Sequence, residues 1–115
     1  MDKVLQSEQR KEPYAPRLER LARRGLRMAK YRFRLFVAGT EVNSQMAREN
    51  LRALCDERLK GGYTIDTIDV FEDFAAAMAE NIVVTPALIM DKPRRVIIFG
   101  NLKETEKVLA ALELK

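Results

Sequence analysis

Large apolar side chains first form a sustained pattern at Tyr31-Arg32-Phe33-Arg34-Leu35-Phe36-Val37-Ala38, where they alternate with arginine before becoming continuous. Such a run predicts a strand that is half exposed at its start and buried at its end. Gly39-Thr40 ends it. Asn43 or Ser44 can then cap a helix, because their side-chain oxygens accept hydrogen bonds from first-turn amides. Met46, Leu51, Leu54 and Leu59, with Ala47 and Cys55, supply the apolar stripe of that helix up to Gly61-Gly62. Tyr63 to Val70 alternates apolar and polar residues, the pattern of a strand with one face buried. Phe71 to Glu80 is rich in alanine, phenylalanine and methionine. Its acids Glu72 and Asp73 lie near the start, where a helix dipole favours them, so a shorter second helix is expected. After Ile82-Val83-Val84 and Thr85-Pro86, two strands at Ala87 to Met90 and Arg94 to Phe99 are joined by a turn at Asp91-Lys92-Pro93. Gly100-Asn101 precedes a last helix over Lys103 to Leu114, with Val108, Leu109, Leu112 and Leu102 on its buried stripe.

The predicted order is β-α-β-α-β-β-α. A parallel βαβ unit followed by a hairpin and a closing helix is the plan of an α/β thioredoxin-like domain, with helices on both faces of a four-stranded mixed sheet. Thr85-Pro86 stands where that fold places a proline, often cis, at the entry to its third strand. A chain of 115 residues is enough for one domain of this kind. The pattern divides it into residues 1–29, an N-terminal extension, and 30–115, the folded domain.

Charge supports the same division. Residues 1–30 contain nine Lys or Arg against four Asp or Glu, and the rest of the chain is close to neutral. Within the extension Leu18, Leu21, Leu26 and Met28 lie among Arg17, Arg20, Arg23, Arg24, Arg27 and Lys30. A short basic helix from about Pro16 to Ala29 is expected, weakened at Gly25 by up to about 1 kcal/mol. Such a segment is either a solvated extension or a surface for an acidic partner, an anionic lipid or nucleic acid. Nucleic acid is not expected as the partner, because Tyr14 alone offers an aromatic stacking surface and no base-reading motif accompanies it. No apolar stretch approaches the roughly 20 residues of a membrane span, and the N-terminus lacks the features of a secretory signal, so a cytoplasmic location is expected.

Candidate chemistry is sparse. Histidine is absent and cysteine occurs once, which removes the commonest general base, any disulfide within the chain and any paired-cysteine metal site. A thioredoxin-type oxidoreductase attacks disulfides with a low-pKa thiolate at the N-terminus of its first helix. The corresponding stretch is Gly39-Thr40-Glu41-Val42-Asn43-Ser44, without sulfur. Ser44 is read as a cap rather than a nucleophile, Cys55 as a core thiol, and Asp66 and Asp69 as solvated carboxylates rather than metal ligands. No Gly-rich phosphate loop is present, and no cofactor is expected.

Five segments together resemble the KaiB family of circadian clock proteins. They are Leu35-Phe36-Val37-Ala38-Gly39 with Asn43-Ser44, Ile68-Asp69-Val70, Thr85-Pro86-Ala87-Leu88, Arg94-Arg95-Val96-Ile97, and Gly100-Asn101-Leu102 leading to Val108-Leu109. The resemblance covers residues 31–114. It implies a non-enzymatic protein that binds a hexameric KaiC-like RecA-type ATPase and alters its phosphorylation cycle. Relatives that serve as sensor domains of histidine kinases supply an alternative partner. Met46, Arg48, Tyr63, Ile65, Asp66 and Thr67, on the first helix and second strand, are the expected contact residues, with the strand edge able to extend a partner's sheet.

Clock members interconvert between a tetrameric fold and a monomeric thioredoxin-like fold, so a homo-oligomer is also an expectation. Thr85, Pro86, Gly100, Asn101, Ala111 and Glu113 are the expected fold-determining positions. Where this chain has Ala111 and Glu113, clock members have glycine and aspartate. Both replacements favour a helical C-terminus, by roughly 0.5–1 kcal/mol each. The expected resting state is therefore thioredoxin-like.

Overall fold

The computed structural model describes residues 29–114. Their elements run β1 (Tyr31–Val37), α1 (Val42–Arg58), β2 (Tyr63–Asp69), α2 (Phe74–Ala79), β3 (Ala87–Lys92), β4 (Val96–Phe99) and α3 (Thr105–Leu112). The expected basic helix at Pro16 to Ala29 falls almost entirely outside the described residues. The strands form one mixed sheet in the order β2-β1-β3-β4. β2 pairs with β1 in parallel, whereas β3 is antiparallel to both β1 and β4. This is the thioredoxin-like arrangement that the sequence pattern predicts.

Strand β1 is central because its side chains are apolar on both faces. Phe33, Leu35 and Val37 point to one face, where α1 and α3 supply Ala47, Leu51, Leu54, Cys55, Val108, Leu109 and Leu112. Phe36 points to the other, where it packs with Ala77 of α2, Ile82, Ala87 and Ile89. Burial of one such large side chain is worth about 1.5–3 kcal/mol, so the larger cluster dominates stability. The second face is covered among the described residues by a six-residue helix alone. Beyond its reach the face becomes polar. Arg34 donates from Nε and Nη2 to the two Asp91 oxygens at 2.8 and 2.9 Å, and from Nη1 to Glu80 at 2.8 Å. Arg95 donates to the other Glu80 oxygen at 2.7 Å. The network ties β1, β3, the end of α2 and the turn before β4 together, and the two arginines hold the Glu80 carboxyl below its usual pKa.

Several boundaries differ from expectation, each for a local reason. The second helix starts at Phe74 rather than Phe71, because Phe71 to Asp73 turn on the Asp69 carbonyl and Asp73 accepts from the Ala76 amide as N-cap. β3 continues to Lys92 by pairing with Arg32, and β4 begins at Val96, leaving Arg94 and Arg95 exposed in the turn. Both Thr85-Pro86 and Lys92-Pro93 are cis. Gly100 has φ 112° and donates to the Pro86 carbonyl at 3.0 Å. That backbone region is open to glycine and strained for other residues. Asn101 follows and links distant elements. Its amide donates to the Asn43 side chain at 3.1 Å, and its carbonyl accepts from Asn50 at 2.8 Å. Leu102 is buried, but with φ 65° it precedes the helix instead of belonging to it.

The C-terminal helix corrects a further expectation. It ends at Leu112, and Glu113 sits in the left-handed region at φ 60°, ψ 38°, as C-cap. Helix propensity therefore does not apply at Glu113. A glycine or aspartate would suit this conformation better, since the left-handed region costs an ordinary L-residue roughly 1 kcal/mol. Ala111 does lie within α3. The two replacements thus act in opposite directions and nearly cancel. Two outcomes are expected in chemical denaturation. Ala111→Gly should lower stability by about 1 kcal/mol, and Glu113→Gly should raise it by about 0.5–1 kcal/mol. Destabilisation by Glu113→Gly beyond the small loss of its exposed 3.6 Å pair with Arg94 would contradict the left-handed cap. Glu80→Gln should flatten the acid limb of the stability curve. A lowered carboxyl pKa gives stability that is present above the usual carboxylate range and lost as pH falls through the folded value. Equal acid sensitivity of the two proteins would remove Glu80 from that role.

Candidate functional site

In thioredoxin-type enzymes chemistry belongs to the N-terminal turn of the first helix. Here that turn is closed by its own side chains. Glu41 is the N-cap and accepts from the Ser44 amide at 2.9 Å. Ser44 is therefore the third residue of α1, in its first turn and not at its cap, and neither does Asn43 cap the helix. The Ser44 hydroxyl is fully buried and accepts from the Ala38 amide at 3.0 Å, pinning the end of β1 to the helix. The neighbouring Gly39, at φ 53°, donates to Asp69 at 3.2 Å and lies against the Phe71 ring. Asp69 also accepts from the Phe71 amide at 2.9 Å. The turn is a structural joint in which the polar groups already have partners.

Cys55 sits three turns further along α1 with no solvent exposure. Burial, above all, and then the nearby Asp56 charge push its thiol from 9.0 up to about 12. A thiolate nucleophile is not available there near neutral pH. No group of three or more His, Cys, Asp or Glu side chains suited to a metal occurs among the described residues.

The six expected contact residues divide between faces. β2 is an edge strand, paired only with β1, so one side of its backbone is open to a further strand. Tyr63 and Ile65 pack against the larger core, and Thr67, exposed, points the same way. Asp66, also exposed, points to the opposite face. Ile68 and Val70 pack on the smaller core, so the alternation changes phase after Thr67 and the strand does not bury one face only. Met46 and Arg48 are half-buried on α1. Two residues apart on a helix, they leave it on different flanks. The Tyr63 hydroxyl donates to Asp56, and this bond, chiefly, raises the phenol pKa while fixing β2 to α1.

The sequence pattern did not single out a second surface at the same end of the sheet as the α1 turn. Phe71, Phe74, Met78 and Val83 are 77%, 66%, 59% and 89% exposed, respectively. With Ala38, Val70 and Ala77 they line a groove of about 600 Å³. Its trace in the sequence is Phe74 and Met78, four residues apart on one face of α2, with Phe71 just before the helix.

Comparison with known proteins gives consistent results. The KaiB domain family matches residues 34–114. The circadian clock protein KaiB3 of Synechocystis sp. is 40% identical over 84 residues, spanning 70% of this chain and 80% of that protein. The circadian clock oscillator protein KaiB of Prochlorococcus marinus strain MIT 9312 is 40% identical over 86 residues, spanning 73% and 81%. Among solved structures, thioredoxin from Fasciola hepatica aligns with a TM-score of 0.62 at 19% identity, over 88% of this chain and 94% of its own. The germline-specific thioredoxin Deadhead of Drosophila melanogaster aligns at 0.64 with 13% identity, over 84% and 91%. At such identities the thioredoxins show the fold alone.

Cys55 should resist a disulfide reagent at pH 8 and react at the rate of global unfolding. Rapid labelling of native protein would contradict its burial. Its raised pKa also fixes a pH dependence. Stability from the protonated thiol is complete below the unfolded value and is lost as pH rises from 9.0 towards about 12. Cys55→Ala should therefore lose less stability than the parent between pH 9 and 10.5, and parallel curves would refute the assignment.

Proposed function

This chain belongs to the KaiB family, and from that premise we propose that it is a non-enzymatic regulatory protein. Its partner in this reading is a KaiC-like RecA-type ATPase, whose phosphorylation or ATPase cycle it modulates. The relatives at 40% identity are circadian clock proteins by name, and the same class of role, in a clock or in stress signalling, is proposed here. The observation that carries the reading is the pairing of a thioredoxin frame with a first-helix turn, Thr40 to Ser44, that lacks sulfur. A frame kept without its nucleophile is useful as a surface.

The proposed contact surface is the open edge of β2 with the adjoining part of α1. Its residues are Met46, Arg48, Tyr63, Ile65, Asp66 and Thr67. Edge strands offer unpaired backbone donors and acceptors to a partner strand, and neighbouring side chains provide selectivity. Met46, half-buried, and Thr67, exposed, are the members best suited to test it, since neither belongs to the core. Residues 30–115 are the binding domain in this reading and 1–29 an appended basic extension. The cytoplasm suits a protein whose single thiol is held in its core.

Titration of the full chain against a purified KaiC-family hexamer, with ATP present, tests the proposal. A 1:1 protomer complex is expected, accompanied by a change in ATP turnover. Met46→Glu with Thr67→Glu should weaken it at least about tenfold, the effect of a central interface side chain, while leaving the thermal transition in place. Unchanged affinity would move the contact away from β2 and α1. A folded chain with no affinity for such an ATPase would overturn the functional reading.

A further inference from the structure

The apolar groove between α2 and the end of the sheet is built by segments rich in acidic residues. Residues 38–45 and 69–86, which form this end of the molecule, contain Glu41, Asp69, Glu72 and Asp73, besides Glu80, which is paired with Arg34 and Arg95, and they contain no Lys or Arg. An apolar floor among acidic residues fits a segment that is apolar on one side and basic on the other. The chain contains one. Residues 16–30 carry six basic side chains and one acidic. Leu18, Leu21 and Met28 fall at helical spacing along one face, in line with Gly25.

Length and direction agree with this pairing. The segment joins the described residues at the foot of β1, and the groove lies at the other end of that strand, beside Ala38 and Val70. β1 has seven residues, about 23 Å at 3.3 Å per residue. A helix over the expected span Pro16 to Ala29 would be about 20 Å long. Antiparallel to β1, such a helix would carry Leu18 back towards Phe74 and Met78. The face it must cross is the one that α2 alone covers among the described residues.

We propose that the groove is the docking site of the chain's own residues 16–28, bound in cis. Docking in cis sets a high local concentration for a contact too small to hold between separate molecules.

Nuclear magnetic resonance on the full isotopically labelled chain tests this. In Leu18→Glu with Leu21→Glu, amide shifts of Phe71, Phe74 to Met78 and Val83 should move, while those of Tyr63 to Thr67 stay. The pattern should be the same after tenfold dilution. Superimposable groove resonances would overturn the proposal. A perturbation that disappears on dilution as a dimer dissociates would overturn it too, because a second copy would then be the occupant. Phe74→Glu provides a check from the other side, at an exposed position outside the core. It should speed tryptic cleavage after Arg20 and Arg24 several-fold without altering the thermal transition, and an unchanged cleavage rate would also refute docking.

Discussion

The unequal covering of the two sheet faces governs this molecule. One face receives α1, with 17 residues, and α3, with eight. Among the described residues the other receives α2 alone, with six. A helix of that length covers about 9 Å, less than half of β1, so the described residues leave the remainder of that face without a helix. There β1 carries arginine in place of an apolar side chain. Arg34 keeps its stem against the sheet, with its guanidinium 5.9 Å from the Phe36 ring centroid, and satisfies its donors on Asp91 and Glu80. Pairing with arginine leaves neither carboxylate as an isolated charge, which would otherwise cost several kcal/mol on partial burial. At the far end of the face the same shortage leaves Phe74 and Met78 of α2 open to solvent.

This asymmetry separates structure from recognition. The densely packed face holds Cys55, Ser44, Ala47, Leu51 and Leu54, all buried. None of them can meet a partner or substrate. Among the described residues, the accessible features suited to holding a polypeptide segment are the edge of β2, through backbone hydrogen bonds, and the apolar groove, through apolar contact. The turn that would carry a nucleophile is held by Glu41, Ser44 and Asp69, which use their oxygens on backbone amides.

The sequence made the frame legible because β1 has apolar residues on both faces, and only a central strand between two helical layers reads in that way. Cys55 was legible as a core thiol from its place on the α1 stripe. The N-cap was not. Serine and asparagine outrank glutamate at that position in general, but here the Ser44 hydroxyl is taken by the Ala38 amide, and Glu41 serves instead. Glu113 was misread because propensity scales describe helix interiors, and nothing local announces that the helix stops at Leu112. The apolar positions of β2 change phase across the polar pair Asp66-Thr67, because Ile65 is buried on one face of the sheet and Ile68 on the other. The groove escaped notice because an apolar helix position looks the same in sequence whether or not anything packs on it.

The central claim is that this KaiB-family chain acts by presenting the β2 edge and α1 to a KaiC-like ATPase. Hydrogen–deuterium exchange of the full chain with and without the hexamer tests it most directly. The account predicts slowed exchange across Tyr63 to Asp69 and at Met46 to Arg48, with Val96 to Phe99 unchanged. No protection anywhere at saturating hexamer, or protection confined to residues 71–84, would contradict it.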